Sequence, residues 1–95
     1  MFERVLKQLR SLIRKRQYII TVHALEEMGE DDVLVVDVEN VVLTGRIIER
    51  QVDRASRERK YVLAGIGCSG ERVNVVLKLG PTSKAVVITV YREEE

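Results

Sequence analysis

The chain carries a single histidine, His23. An imidazole changes its charge near neutral pH, which suits it to act as a general acid or a general base. Glu26 or Glu27, close by, can orient it. Lys78 and Arg72 alternate onto one face of a strand, and Lys60 lies near them. Ammonium and guanidinium groups hold phosphate, and Arg grips it with two parallel hydrogen bonds. Tyr61 or Tyr91 can stack on a base or give up a proton. Each of these groups also has an ordinary role. A histidine at a helix start packs or caps locally, charges on strands are solvated, and a late tyrosine can edge the core.

Other catalytic patterns do not occur. There is no HExxH, CxxC, GxSxG or GxxxxGK[ST], and no helix follows the Gly65-Ile66-Gly67 pair. The one cysteine, Cys68, cannot form an internal disulfide and has no Cys or His neighbour at zinc spacing. Neither a metal nor a cofactor is therefore expected. A reducing compartment, the cytoplasm, is the simplest location. No apolar run approaches the roughly 20 residues of a membrane helix, so no membrane partner is expected. The net charge is +1, yet its distribution is uneven. Basic residues crowd Arg4–Arg16 and Arg46–Lys60, whereas acids gather at Glu30–Asp32 and Glu93–Glu95. The connection Arg54–Lys60, with Arg57 and Arg59, is the stretch best suited to follow a phosphate backbone.

The elements that must position these groups follow from periodicity. Phe2, Val5, Leu6, Leu9, Leu12 and Ile13 form one helical stripe, with Arg4, Lys7, Arg10 and Arg14 opposite, which predicts an amphipathic helix over 2–16. Tyr18–Ile20 reads as a short extended link. Thr21 can cap a short helix over 22–28, and Gly29 can end it in a left-handed conformation. A third helix over 32–44 starts at Asp31 or Asp32 and stops at Gly45. Residues 46–91 read as a four-stranded antiparallel sheet: Arg46–Val52, Lys60–Gly67, Arg72–Leu79 and Lys84–Tyr91. The whole, residues 1–95, is one α+β domain with helices packed on one face of the sheet. Arg92–Glu95 is expected to fray.

Reading both hairpin turns as four-residue loops sets a trial register. Gly67 then opposes Arg72, Tyr61 opposes Lys78, Leu79 opposes Lys84 and Arg72 opposes Tyr91. One face holds Val62, Ala64, Ile66, Val73, Val75, Leu77, Leu79, Val86, Ile88 and Val90, and the helices cover it. The other face holds Tyr61, Leu63, Gly65, Arg72, Asn74, Val76, Lys78, Val87, Thr89 and Tyr91. It mixes cations, an amide, a hydroxyl and phenols over an apolar floor, and Gly65 and Gly67 leave room for a ligand.

The run Tyr18-Ile19-Ile20-Thr21-Val22-His23-Ala24 is followed by Glu27-Met28, Asp37-Val38-Glu39, Gly45-Arg46-Ile47-Ile48-Glu49 and Val87-Ile88-Thr89-Val90-Tyr91. In this order, over about residues 18–91, the motifs resemble a prokaryotic family, the domain of unknown function 4258. The resemblance implies a fold like the RelE-type toxins. It also implies a metal-independent endoribonuclease of a toxin–antitoxin system, acting on RNA and paired with a small zinc-binding antitoxin. Cleaving RNA without metal needs a base for the 2′-hydroxyl proton, cations for the charge at phosphorus and an acid for the leaving oxygen. On this reading His23, Lys78 and Tyr91 are catalytic, while Arg57, Arg59, Lys60, Tyr61, Arg72, Asn74 and Thr89 bind RNA. The chain departs from the family at Glu26, Glu27, Glu30, Asp31 and Asp32, where basic residues are usual, and acids there would repel phosphate. The alternative is a non-catalytic protein-interaction module on the same scaffold, with His23 structural.

Overall fold

The computed structural model describes residues 1–93. Three helices, α1 (Glu3–Arg14), α2 (Val22–Glu30) and α3 (Val35–Thr44), pack on one face of a five-stranded sheet. Its strands are β1 (Tyr18–Ile20), β2 (Arg46–Val52), β3 (Arg59–Ile66), β4 (Arg72–Leu79) and β5 (Ala85–Arg92), in the order β1-β5-β4-β3-β2. The expected four-stranded, wholly antiparallel sheet is thus corrected. The link Tyr18–Ile20 is a strand, and it runs parallel to β5 with Tyr18 beside Ala85 and Ile20 beside Val87. Three residues give too little pattern to mark a strand, and only the tertiary pairing reveals it. The expected frayed tail is also corrected in part, since Arg92 belongs to β5; Glu94 and Glu95 lie outside the described residues.

Each helix boundary has a local cause. The α1 stripe buries Leu9 and Ile13, with Glu3 at its positive end and Arg14 at its negative end. Thr21 caps α2 as expected, its hydroxyl accepting the Ala24 N–H at 3.1 Å. That helix does not end at Gly29 but continues to Glu30. The reversal falls on Asp32 (φ 55°), and the Val33 N–H reaches back to the Met28 carbonyl at 2.9 Å. Aspartate tolerates the left-handed region that glycine was expected to supply. Helix α3 is capped from inside rather than by Asp31 or Asp32, because the Asp37 carboxylate accepts the Leu34 N–H at 2.8 Å. Its C-terminus is closed from another helix. Arg10 on α1 donates from Nε to the Val42 carbonyl (2.9 Å) and from Nη2 to the Gly45 carbonyl (2.8 Å). These are carbonyls left over where a helix ends.

Register explains the largest departure. Both hairpins hold one more residue than expected: Ile66 pairs with Arg72, Tyr61 with Leu77 and Leu79 with Ala85. Each loop contains a left-handed residue, Gly70 (φ 87°) or Ser83 (φ 59°), which accommodates the extra position. A one-residue slip exchanges the faces of a strand. In β3 the residues under the helices are therefore Tyr61, Leu63 and Gly65, not Val62, Ala64 and Ile66. In β5 they are Ala85, Val87 and Val90. A bulge between the pairs Val76–Thr89 and Leu77–Val87 makes Ile88 the extra residue, and this restores the expected sides for Thr89, Val90 and Tyr91.

Two close approaches lock α3 to the sheet. A Cβ on Gly45 would fall on the Ala64 and Val41 carbonyl oxygens, well inside van der Waals contact. Buried Asp37 also accepts the Cys68 N–H at 2.7 Å, tying the start of α3 to the β3–β4 turn. Accepting these two backbone N–H groups holds its carboxyl below the usual carboxylate range.

Two predictions follow from this packing. A carboxylate with a lowered folded pKa adds stability above its unfolded pKa, and loses it as pH falls through the folded value. Asp37→Asn turns an amide N–H toward a backbone N–H, so it should cost about 1–3 kcal/mol in urea unfolding at neutral pH. That difference should shrink below about pH 4; a gap that persists in acid would show the carboxylate charge is irrelevant. Gly45→Ala should destabilise by about 1–3 kcal/mol. The same change at Gly29, inside α2 with open space around it, should stabilise by about 0.5–1 kcal/mol. Equal shifts at the two glycines in thermal melts would refute the close approach.

Candidate functional site

The face of the sheet away from the helices is the surface where chemistry-bearing groups collect. Strand alternation brings Arg72, Asn74, Val76 and Lys78 of β4 to it. Neighbouring strands supply Lys60, Val62, Ala64 and Ile66 from β3, Thr89 and Tyr91 from β5, and Arg46 from β2. Val62 and Val76 are buried there yet lie outside the cluster formed with the helices, so they make a separate apolar floor. At one end of the face a hollow of about 370 Å³ is lined by Arg46, Ala64, Gly65, Ile66, Arg72 and Glu93. Asn74 stands beside it, directly opposite Ala64 on one side and Tyr91 on the other. Asn74 Nδ2 donates to the Tyr91 hydroxyl at 3.2 Å, and Tyr91 is 38 % exposed.

The residues expected to bind RNA divide into two groups. Lys60, Arg72, Asn74 and Thr89 share the open face. Tyr61 does not: it is buried under the helices, its ring 6.1 Å from Phe2 in an edge-on contact. Arg57 and Arg59 go with it, lining a different hollow with Val5, Gln8 and Leu79 beside α1. The register slip in β3 is the cause for Arg59 and Tyr61, since it turns odd-numbered residues toward the helices; Arg57 lies in the connection before that strand. The room expected above Gly65 is also filled, with Val41 and Gly45 of α3 packed against it.

The three expected catalytic groups hold separate partners. Lys78 pairs with Glu58 from the β2–β3 connection. Along β4 it stands four residues from Asn74, about 13 Å. His23 is exposed at the start of α2, with Nε2 3.4 Å from Glu27 Oε1. That same oxygen accepts the Val90 N–H at 3.1 Å, so a single carboxylate links His23 to the strand residue next to Tyr91. Glu27 thus ties His23 to the β5 backbone at Val90, whose side chain faces the helices; the Tyr91 side chain, one residue on, turns to the open face, and Lys78 stands apart from both.

The edge of β5 accounts for part of the acidic stretch. Strand β1 covers β5 only as far as Val87, which leaves later backbone groups of β5 without a neighbour strand on that side. Thr21 Oγ1 donates to the Ile88 carbonyl (3.3 Å), Glu27 takes the Val90 N–H, and Asp31 Oδ2 takes the Arg92 N–H at 3.0 Å. Two of the five acids therefore serve as edge caps, their charge directed at backbone N–H groups.

Elsewhere, Tyr18 donates to Glu39 Oε2 at 2.6 Å, and burial together with that carboxylate pushes its phenol up to about 12. Desolvation and nearby Asp37 raise the exposed Cys68 thiol, which disfavours the nucleophilic thiolate. Among the described residues no three His, Cys, Asp or Glu side chains gather as a metal site, and no helix is long and apolar enough to cross a membrane. Sequence reasoning missed Arg46 as a member of the face; its one signal was its position directly after the helix stop at Gly45.

No curated protein and no solved structure matches the chain. Residues 20–92 match the family described as Domain of unknown function (DUF4258). The match spans most of the sequence, from the end of β1 through β5, and the chain belongs to that family.

Proposed function

We propose that this protein is a toxin-like, metal-independent endoribonuclease of a toxin–antitoxin system, with a RelE-like arrangement of helices behind an open, RNA-binding sheet face. The observation that supports it best is that face itself: Arg46, Lys60, Arg72 and Lys78 surround Asn74, Thr89 and Tyr91 on an apolar floor. Sheet faces of this kind stack unpaired bases on aromatic rings while cations hold the backbone.

The reaction is a transesterification. The ribose 2′-oxygen bonds to phosphorus as the phosphorus–O5′ bond breaks, giving a 2′,3′-cyclic phosphate and a free 5′-hydroxyl. His23, oriented by Glu27, takes the 2′-hydroxyl proton. Tyr91 gives a proton to the leaving oxygen. Arg72 stabilises the charge at phosphorus, and Lys78 contacts the strand farther along. Arg57 and Arg59 lie beside α1, so in this reading they contribute field rather than contact.

Exposed apolar side chains supply a specific reason to keep a second reading. Val22, Leu25, Leu34 and Val36 are 71 %, 49 %, 64 % and 52 % exposed. Groups of this kind mark surfaces that meet other proteins. In a toxin they would receive the small zinc-binding antitoxin; in a non-catalytic interaction module they would be the whole function.

His23→Ala and Tyr91→Phe variants that keep the wild-type circular dichroism should each cleave RNA about 10²–10⁴-fold more slowly, measured in chelator with cyclic phosphate as the product. Lys78→Ala should chiefly weaken binding. RNA left intact across roughly pH 6–8, the range where imidazole changes charge, together with harmless expression, would sink the ribonuclease and leave the interaction module.

A further inference from the structure

Leu79 continues the row of β4 that faces the helices, after Val73, Val75 and Leu77, yet it is 37 % exposed whereas those three are fully buried. Helix α1 passes beside it and leaves a groove between the two. One part, a hollow of about 480 Å³, is lined by Val5, Gln8, Arg57, Arg59, Tyr61 and Leu79. The other, about 340 Å³, shares Gln8 and Leu79 and reaches along Leu12 to Gly80 and Ser83 of the β4–β5 turn. From Val5 to Leu12 the helix advances about 10 Å. The cations stand at one end of an aliphatic floor, and among the described residues no Asp or Glu lines either hollow. Neither Arg57 nor Arg59 forms an ion pair among those residues. The acids closest to them in the chain are engaged elsewhere. Asp53 accepts the Ala55 and Ser56 N–H groups, each at 2.9 Å, and Glu58 pairs with Lys78 of the open face. Backbone bonds fix the connection that carries Arg57, whose N–H donates to the Asp53 carbonyl at 2.9 Å.

Guanidinium groups hold carboxylate and phosphate alike, so the floor decides between the two. Single-stranded nucleic acid is held by bases stacked on open aromatic rings. The ring that lines this groove, Tyr61, is 6 % exposed and meets Phe2 edge-on. Val5, Leu12 and Leu79 supply aliphatic walls instead. Such walls receive apolar side chains, and arginine clusters recognise acidic motifs. An extended peptide rises roughly 3.3 Å per residue, so about three or four residues span the groove. We propose that this groove docks an acidic peptide segment of a partner protein, with apolar side chains on Leu12 and Leu79 and neighbouring carboxylates on Arg57 and Arg59. The groove lies on the helix side of the sheet, so the docking site stands or falls independently of RNA binding on the open face.

Selection of a display library of random short peptides on the full chain tests it. Enriched peptides should carry acidic residues beside aliphatic ones. A labelled synthetic copy of the most enriched peptide, followed by fluorescence anisotropy, should bind about two- to thirtyfold more weakly to a variant carrying Arg57→Gln and Arg59→Gln, the range two exposed charge pairs provide. That difference should fade as salt is raised. Leu79→Ser should weaken the same peptide about two- to tenfold, which tests the apolar half separately. Arg72→Ala, on the open face, should leave it unaffected. Circular dichroism matching the wild type shows that each variant is folded. No enrichment, enrichment without acids, or binding that survives both groove variants would overturn the docking site. Labelled oligouridylate that loses affinity in the Arg57 and Arg59 variant, while the peptide does not, would overturn it in favour of nucleic acid.

Discussion

Everything on the open face depends on how two hairpins turn. Gly70 and Ser83, both left-handed, give each turn one residue more than the shortest reading allows. That single step settles which half of each strand meets the helices. It puts Tyr61 and Leu63 under α1 and α3, and leaves Ala64 beside Asn74. With the shorter turns, Asn74 would lose Tyr91 as its neighbour and the hollow between Arg46 and Arg72 would lose its floor. The chemistry is thus a product of turn geometry, at positions that carry no catalytic residue.

The second controlling feature is the unequal length of β1 and β5. A three-residue strand cannot cover an eight-residue one. The remaining backbone groups of β5 are satisfied by Thr21, Glu27 and Asp31, all projecting from α2 or its cap. Two of the acids that look hostile to an anion when read along the chain, Glu27 and Asp31, are in space directed into the backbone. Glu27 has two duties, since the oxygen that closes the edge also faces His23. Edge closure and the orientation of the histidine are therefore one arrangement.

Much of this was legible in the sequence. The stripe of α1, the Thr21 cap and the strand segments follow from periodicity and side-chain chemistry, which are local. Thr89 and Tyr91 reach the expected face because two departures cancel: the turn shifts the register and the Ile88 bulge shifts it back. Tyr61 has no such compensation and moves to the core. β1, the Glu27 and Asp31 caps and the Arg10 clasp on α3 all join residues far apart in the chain, so no window of neighbours contains them. Asn74 Oδ1, buried without a hydrogen-bond partner among the described residues, is of the same kind, since partnership is a property of the surroundings and not of the residue.

The opposite border of the sheet has a different character. Among the described residues no strand lies beyond β2, whose pairing with β3 is interrupted at Ile48 and whose exposed side chains include Arg46, Glu49 and Arg50. A second molecule adding itself there about a two-fold axis at the middle of β2 would bring Glu49 against its own copy, and like charges set directly opposite repel. The kink at Ile48 also breaks the straight ladder that an incoming chain would need. This border therefore discourages a second chain from extending the sheet in register, although Ile48 and Val52 are exposed along it.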